Sequence, residues 1–175
     1  LALGLMTHSV AASDHEELTA RLAGGEAPDK IIATFARAAP PSLMAEHRSL
    51  IDRVFAAHSV EAVLERLDRD GSDFAAETAR TIRGRSPTSL KLAFQLVRRG
   101  KGLSRNECLK MEYRVGSRAV MGHDFREGVR ALLRDKDGRP RWEPSALAAV
   151  TEGDVAGYFE PLGARELGFA GNAAE

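Results

Sequence analysis

The chain has 175 residues, 43% of them hydrophobic and 6% aromatic, which is enough for one domain with an apolar core. Its 25 basic and 25 acidic side chains balance, so the net charge does not favour nucleic acid as a partner. A single cysteine excludes a disulfide framework, and no apolar run approaches the ~18 residues that a membrane span requires.

The N-terminal residues predict the end of a larger element. Residues 1–5 (L-A-L-G-L) are typical of the last turn of a helix, and residues 7–10, from Thr7 to Val10, form the only segment typical of a strand. A lone strand is not stable by itself, so we expect it to belong to a sheet that this chain does not contain. Because the sequence also begins without methionine, we expect a piece of a longer protein.

Helices fill the rest of the predicted structure. Apolar side chains at helical spacing follow a series of capping residues, which predicts helix starts at Ser13, Pro28, Leu43, Ser59, Ser72, Ser86, Ser104, Asp124 and Thr151. Pro87 suits the first position of its helix, and Ser104 with Glu107 has the spacing of a capping box. The residues after Asp135 are irregular, and the tail from Gly163 is predicted to be mobile.

Three motifs carry a family resemblance. They are S-P-T-S-L-K from Ser86, C-L-K-M-E-Y-R from Cys108, and G-H-D-F-R-E-G-V-R-A-L-L-R-D-K-D-G-R-P-R-W from Gly122. Together they resemble the C-terminal part of the 3-hydroxyisobutyryl-CoA hydrolases, a family within the crotonase (enoyl-CoA hydratase/isomerase) superfamily. The resemblance implies a mainly α fold: the multi-helix C-terminal region of a crotonase-like fold, with at most one short strand. Residues 1–12 would end the crotonase core, 13–162 form the helical region and 163–175 the mobile tail.

The resemblance also implies a wall of a coenzyme A pocket. Related enzymes carry E-G-x-x-A-F-x-x-K-R-x-P, in which the aromatic residue packs on adenine and the lysine reaches the ligand. Here Glu127 and Gly128 match, Leu132 takes the place of the aromatic residue, and Lys136 follows one residue after the lysine position. Leu132 and Lys136 are therefore candidate contacts, with a surface salt bridge as the plain alternative for Lys136.

Lys91 is a third candidate. It lies in a stretch from Arg80 to Arg105 that contains eight basic and no acidic side chains, just over one turn into the helix that Ser86 begins. Free N–H groups at that helix start could meet CoA phosphates. The alternative is a solvated face with ordinary capping.

No catalytic residue is assigned to this chain. The resemblance implies hydrolysis of the 3-hydroxyisobutyryl-CoA thioester in valine breakdown, with the oxyanion hole and the acidic groups on a preceding part of the enzyme, so we expect this piece to be inactive alone. His123 and Asp124 are adjacent at a predicted helix start and more often cap than catalyse. The five histidines are scattered, so no metal site is predicted.

The predicted partners follow from the same resemblance. They are an acyl-CoA substrate, the missing N-terminal crotonase core and further copies of the chain, with no covalent cofactor, nucleic acid or membrane. The alanine- and arginine-rich composition favours a bacterial cytoplasmic location over a mitochondrial one. Two alternatives stay open: part of an enoyl-CoA hydratase or isomerase, and a non-catalytic helical interaction or scaffold domain.

Overall fold

The computed structural model describes residues 6–39 and 41–169. The chain divides into two compact units, Leu1–Phe55 and Ala56–Glu175. The described residues form ten α-helices: α1 His15–Ala23, α2 Pro28–Phe35, α3 Leu43–Glu46, α4 Arg48–Phe55, α5 Val60–Asp70, α6 Asp73–Arg83, α7 Pro87–Gly100, α8 Arg105–Ala119, α9 His123–Val129 and α10 Glu152–Phe159. The prediction of a mainly α chain is confirmed.

The predicted strand from Thr7 to Val10 does not form. Within the described ranges the only β pairing outside helices is one isolated antiparallel bridge, in which the Arg37 N–H donates to the Ser9 carbonyl over 2.8 Å. Arg37 lies two residues beyond the end of α2, and Ser9 with Arg37 is the one pair that forms this β-bridge. The partner of Ser9 is therefore within this chain. The helix end predicted at residues 1–5 lies outside the described residues.

The unit Leu1–Phe55 has a small core. Its buried hydrophobic side chains among the described residues are Ile31, Leu50 and Val54. Ion pairs on its surface join Arg37 to Asp14 over 2.6 Å and Arg21 to Glu26 over 2.8 Å. Each exposed pair of this kind contributes about 0–1 kcal/mol, so the few buried side chains supply most of the stability.

Capping residues set the helix starts in the unit Ala56–Glu175, as the sequence predicts. A side-chain oxygen accepts a backbone N–H at the start of five helices: Ser59 for α5, Ser72 for α6, Ser86 for α7, Ser104 for α8 and Thr151 for α10. Gly71 ends α5 with φ at 75°, a left-handed conformation that glycine adopts without steric cost. Each cap contributes about 1 kcal/mol to its helix.

Two predicted caps are wrong. The Ser13 hydroxyl donates to the Asp14 carboxylate over 2.8 Å, and a short 3₁₀ turn, Ala12–Asp14, precedes α1. The helix assigned to Asp124 begins at His123, so its N-cap position is Gly122, two residues before Asp124, and no side chain caps it. Ser13 lies inside the 3₁₀ turn and not at the start of α1, and the Asp124 carboxylate is bonded to distant partners.

The α7–α8–α10 cluster is the main apolar contact around the site described below. Leu92 of α7, Met111 and Val115 of α8, and Val155 and Phe159 of α10 are buried together, and Val150 joins them. Burying one such side chain stabilises the fold by about 1.5–3 kcal/mol. A second set of buried residues holds α5 against α6, including Val63, Leu67, Ala75 and Ala79.

Helix α9 is packed on one side only. It continues into one turn of π-helix, Arg130–Arg134, whose Ala131 is fully buried. Large exposed apolar side chains lie on α9, just before it and in the π-turn, and we call them together the α9 apolar face: Met121, Phe125, Val129, Leu132 and Leu133. Met121 and Leu133 are 75% and 68% exposed.

The described part of the C-terminal tail is bonded to α8. The Glu166 carboxylate accepts from the Arg114 Nε over 2.9 Å and from the Leu162 backbone N–H over 2.9 Å. The Lys110 ammonium lies 5.9 Å from the centre of the Phe169 ring. Mobility of residues 163–175 stays a prediction, and residues 170–175 lie outside the described part.

Candidate functional site

A cleft of about 410 Å³ opens beside α9, and we call it the α9 cleft. Its walls come from the start of α7, the end of α8, α9 itself and the segment after the π-turn. Apolar side chains dominate the lining, among them Leu92, Phe125, Val129, Leu132, Leu133 and Trp142. His123, Asp124 and Glu143 add polar groups to the same lining. An apolar pocket with a few convergent polar groups is a typical binding site.

Asp124 joins three segments around this cleft. Its carboxylate accepts from the Ser86 hydroxyl at the start of α7 and from the Glu143 backbone N–H over 2.8 Å. The His123 Nδ1 lies 3.1 Å from the same group. Only 10% of the Asp124 side chain is exposed, so these donors replace the water that the carboxylate gives up. Asp124 therefore holds the cleft together rather than capping its own helix.

His123 is positioned by Asp124 but does not form a catalytic triad. The hydrogen bond that the Asp124 carboxylate accepts from the His123 imidazole raises the pKa of His123 above its usual value, with Glu143 adding to the effect. The Ser86 hydroxyl donates to Asp124 and accepts from the Ser89 N–H, so it is bonded to the carboxylate and not to the imidazole. A general base must contact the nucleophile, which this arrangement does not provide.

Trp142 closes one end of the cleft. Its indole N–H donates to the Gly84 carbonyl over 3.0 Å, and its ring lies against Gly128, where an added Cβ would be 3.5 Å from the ring. An added Cβ at Gly128 would therefore make an ordinary van der Waals contact with the indole. Trp142 docks its segment onto the helices.

A cluster of charges, the Arg130 cluster, fixes the segment beyond the π-turn. The Arg130 guanidinium donates to both Glu127 oxygens, each over 2.8 Å, to Asp135 over 2.9 Å and to Asp137 over 2.6 Å. Arg130 lowers the pKa of Glu127 to about 2, and an N–H from Arg141 adds to this effect. Arg134 and then Arg130 lower the pKa of Asp135 to about 2. Sequence reasoning missed this cluster, although E-x-x-R at Glu127 was a visible signal.

The three predicted contact residues fall in two places. Leu132 is 58% exposed and lines the α9 cleft. Lys136 is exposed on the loop after the π-turn. Lys91 instead lines a different cleft of about 370 Å³, together with His58, Glu61 and other residues. Two of the three candidates therefore belong to one region.

Lys91 is already paired inside the protein. Its ammonium lies 2.9 Å from the Glu61 carboxylate and donates to the Val150 carbonyl over 3.0 Å. Burial raises the pKa of Glu61, but the bond from Lys91 together with further hydrogen bonds outweighs burial and leaves that pKa lowered. Lys91 thus joins α7 to α5 and to the residue that precedes Thr151.

The described ranges contain no group of three or more histidine, cysteine, aspartate or glutamate side chains arranged to hold a metal ion. In the same part of the chain, no helix combines the length and the apolar character needed to cross a membrane.

Comparison with known proteins adds the following. A family model described as enoyl-CoA hydratase/isomerase matches residues 1–159. A curated relative from Danio rerio, "3-hydroxyisobutyryl-CoA hydrolase, mitochondrial", is 47% identical over 127 residues, which are 73% of this chain and 33% of the relative. The protein of the same name from Xenopus laevis is 36% identical over 174 residues, covering 94% of this chain and 45% of the relative.

A solved structure has the same fold over nearly the whole chain. A carnitinyl-CoA dehydratase from Mycobacterium thermoresistibile matches with a TM-score of 0.85 and 35% identity, covering 97% of this chain and 48% of that protein. The chain thus spans between a third and a half of the length of these relatives. The predicted bacterial cytoplasmic location is wrong, because the curated relatives are mitochondrial proteins.

Proposed function

The chain belongs to the enoyl-CoA hydratase/isomerase family, as its motifs predicted, and on that premise we propose that it is the C-terminal helical region of a hydrolase for 3-hydroxyisobutyryl-CoA. The relatives that carry this activity in their names are up to 47% identical to the chain. The catalytic groups would lie in the part of the enzyme that the chain does not span, and the chain alone would be inactive. Its place would be in valine breakdown.

One observation carries this proposal: the α9 apolar face is exposed in a chain that spans a third of its relative's length. Large contiguous apolar patches on a soluble protein mark interaction surfaces, because water contact with them is unfavourable. The occupant that we propose is the remaining part of such an enzyme. Residues 1–12 would then end the crotonase core, and 13–162 would form the region that packs on it.

We propose that Leu132 and Lys136 form a wall of the substrate site in the complete enzyme. Leu132 would supply apolar contact to the nucleotide end of CoA, and Lys136 would meet its phosphates. Coenzyme A would act only as part of the substrate, with no covalent cofactor. Lys91, which lies in a separate cleft and is paired with Glu61, remains a prediction for CoA contact at that second place.

A second activity is favoured by one observation, the match to a carnitinyl-CoA dehydratase with a TM-score of 0.85. The complete enzyme would then add or remove water at an acyl-CoA. The two activities have different products, since only hydrolysis releases a free CoA thiol. The higher identity to the Danio rerio hydrolase makes hydrolysis the first proposal.

The activity test combines the chain with the part of the Danio rerio hydrolase that the chain does not span. The chain alone, incubated with 3-hydroxyisobutyryl-CoA, should release no free thiol above the uncatalysed background. Addition of the complementary part should produce thiol release above that of either part alone. Thiol release by the chain alone would overturn the proposal, and the appearance of an enoyl absorbance without thiol release would favour the second activity.

A second test concerns association. When its natural occupant is absent, the α9 apolar face should bind another copy, so the chain should sediment as a mixture of monomer and larger species. Changing Leu132 and Leu133 to serine should shift this mixture to monomer. Val97→Ser is the matched control, because Val97 is 80% exposed but lies on α7. A monomeric wild-type chain that binds no hydrophobic dye would contradict the proposal.

A further inference from the structure

The loop of residues 134–141, R-D-K-D-G-R-P-R, carries basic side chains that are not paired with its acidic ones. It holds four basic and two acidic side chains. Both acidic side chains are bonded to arginines: Asp135 to Arg130 and Arg134, and Asp137 to Arg130. In the part of the chain that the structure describes, no hydrogen bond or ion pair involves the side-chain cations of Lys136, Arg139 and Arg141. Three cations are therefore left uncompensated on one short loop.

The backbone of this loop is held in an unfavourable conformation. Lys136 has φ at 55°, and no other described residue except glycine has a positive φ. The left-handed region is disfavoured for a residue with a Cβ, so it persists only where neighbouring contacts fix it. Two backbone bonds do so here: the Asp135 N–H donates to the Arg130 carbonyl over 2.8 Å, and the Gly138 N–H donates to the Ala131 carbonyl over 3.1 Å.

Arg130 is the side chain that binds both ends of the loop. Its guanidinium contacts Asp135 and Asp137 on either side of Lys136, and it also donates to the Arg139 carbonyl over 3.2 Å. On the helix side it makes two bonds to Glu127, whose carboxylate accepts the Arg141 N–H over 2.7 Å. A lysine could not replace it, because an ammonium lacks the planar fork that binds several carboxylates at once.

We propose that Arg130 is a positioning residue, which holds the loop so that Lys136, Arg139 and Arg141 face the phosphate groups of the acyl-CoA substrate. Arg130 does not touch the ligand itself. It binds the carboxylates of Asp135 and Asp137 on either side of Lys136 and so holds Lys136 in its left-handed conformation. This inference rests on the proposed function, since the ligand is the CoA thioester named there.

The first test examines the loop without any ligand. Trypsin cleaves after exposed lysines in mobile loops, so Arg130→Gln should raise the rate of cleavage after Lys136 about tenfold or more relative to wild type. Arg134→Gln is the matched control: it removes a cation of the same loop that is 71% exposed and pairs only with Asp135, and it should leave this rate within about twofold. An unchanged rate in Arg130→Gln would overturn the positioning role.

A global loss of folding would also raise the cleavage rate, so hydrogen exchange is measured on the same variants. Arg130→Gln should speed exchange in residues 135–141 and leave the α7–α8–α10 cluster unchanged. Arg130→Lys keeps the charge but not the fork, and it should give the same local effect. Faster exchange throughout the unit in both variants would show that Arg130 supports folding in general and would overturn the proposal.

The second test uses adenosine 3′,5′-bisphosphate, which carries the charges of the nucleotide end of CoA, as a probe measured by calorimetry. Lys136→Gln should weaken binding about tenfold and Arg130→Gln at least as much, and the double variant should be no weaker than Arg130→Gln alone, because Arg130 acts through the loop that carries Lys136. Additive losses would overturn the positioning role but leave the CoA contact standing. Absence of probe binding to wild type, or binding that Lys136→Gln does not change, would overturn the substrate contact itself.

Discussion

Two regions of the unit Ala56–Glu175 differ in what holds them. The α7–α8–α10 cluster buries its apolar side chains, including Leu92, Val115 and Phe159. The α9 region leaves its apolar side chains exposed and is tied to the rest by charged groups, chiefly Asp124 and Arg130. Both regions have helices with apolar stripes at the same spacing. The difference shows that an apolar stripe indicates which side of a helix packs against a partner. It does not indicate whether that partner belongs to the same chain.

This contrast predicts that the two regions respond to different perturbations. Packing inside the cluster should be sensitive to the loss of side-chain volume and insensitive to pH. Contacts around α9 should be sensitive to the loss of a charge and to pH, because charge-assisted hydrogen bonds replace burial there. The following substitutions test each half of this statement.

The largest expected effect is in the cluster. Phe159→Ala removes a side chain that is 8% exposed, and it should lower the free energy of unfolding by about 3–5 kcal/mol, since the cavity cannot fully collapse. Denaturation by urea measures the change. Leu133→Ala on the α9 apolar face is the control and should change it by less than about 0.5 kcal/mol. Similar losses in both variants would remove the distinction between the two regions.

Asp124→Ala should have the next largest effect. It removes the acceptor of the Ser86 hydroxyl and of the Glu143 N–H. Because Ser86 is buried, its unpaired hydroxyl should cost about 1–3 kcal/mol. Asp73→Ala is the control, because Asp73 also lies in the first turn of a helix but is exposed. Fluorescence of Trp142, the only tryptophan, would report the change next to the site. If both substitutions lowered the free energy of unfolding equally, Asp124 would stabilise the protein only through its charge at the start of a helix.

The helices could be predicted from the sequence because their determinants are local. Ser59, Ser72, Ser86 and Ser104 lie next to the backbone groups that they cap, so a few residues suffice to identify them. Asp124 failed as a predicted cap because its partners, Ser86 and Glu143, are 38 and 19 residues away. No local pattern distinguishes a carboxylate that caps its own helix from one that bonds a distant segment.

The candidate site was predictable to a lesser degree. A motif match identified Leu132 and Lys136, and the structure places Leu132 in the α9 cleft. Lys91 was predicted from its position after a helix start, but Glu61 and Val150 satisfy its charge and donors. Charge along a sequence gives the number of cations and does not give the number that remain unpaired.

Acid should weaken the α9 region before it weakens the cluster. The folded state lowers the pKa of Glu127 from 4.5 to about 2 and that of Asp135 from 3.8 to about 2. The stabilisation is present above the ordinary values and is lost as the pH falls towards 2. Trp142 fluorescence followed from pH 5 to pH 2 should therefore shift in wild type, and Arg130→Gln should show a smaller change. An identical profile in both proteins would exclude Arg130 as the cause.

The smallest effect is expected at His123, which is 43% exposed. The hydrogen bond from the imidazole to Asp124 raises the pKa of His123 above 6.5. The imidazolium therefore stabilises the fold fully below the unfolded pKa, and this contribution is lost as the pH rises through the folded pKa. His123→Gln should remove that pH dependence while it leaves the rest of the stability profile unchanged. In an NMR titration, Asp124→Asn should lower the pKa of His123 towards the ordinary value, whereas Glu143→Gln should change it less. A larger shift in Glu143→Gln would assign the main interaction to the segment after Trp142 instead of to the buried carboxylate of α9.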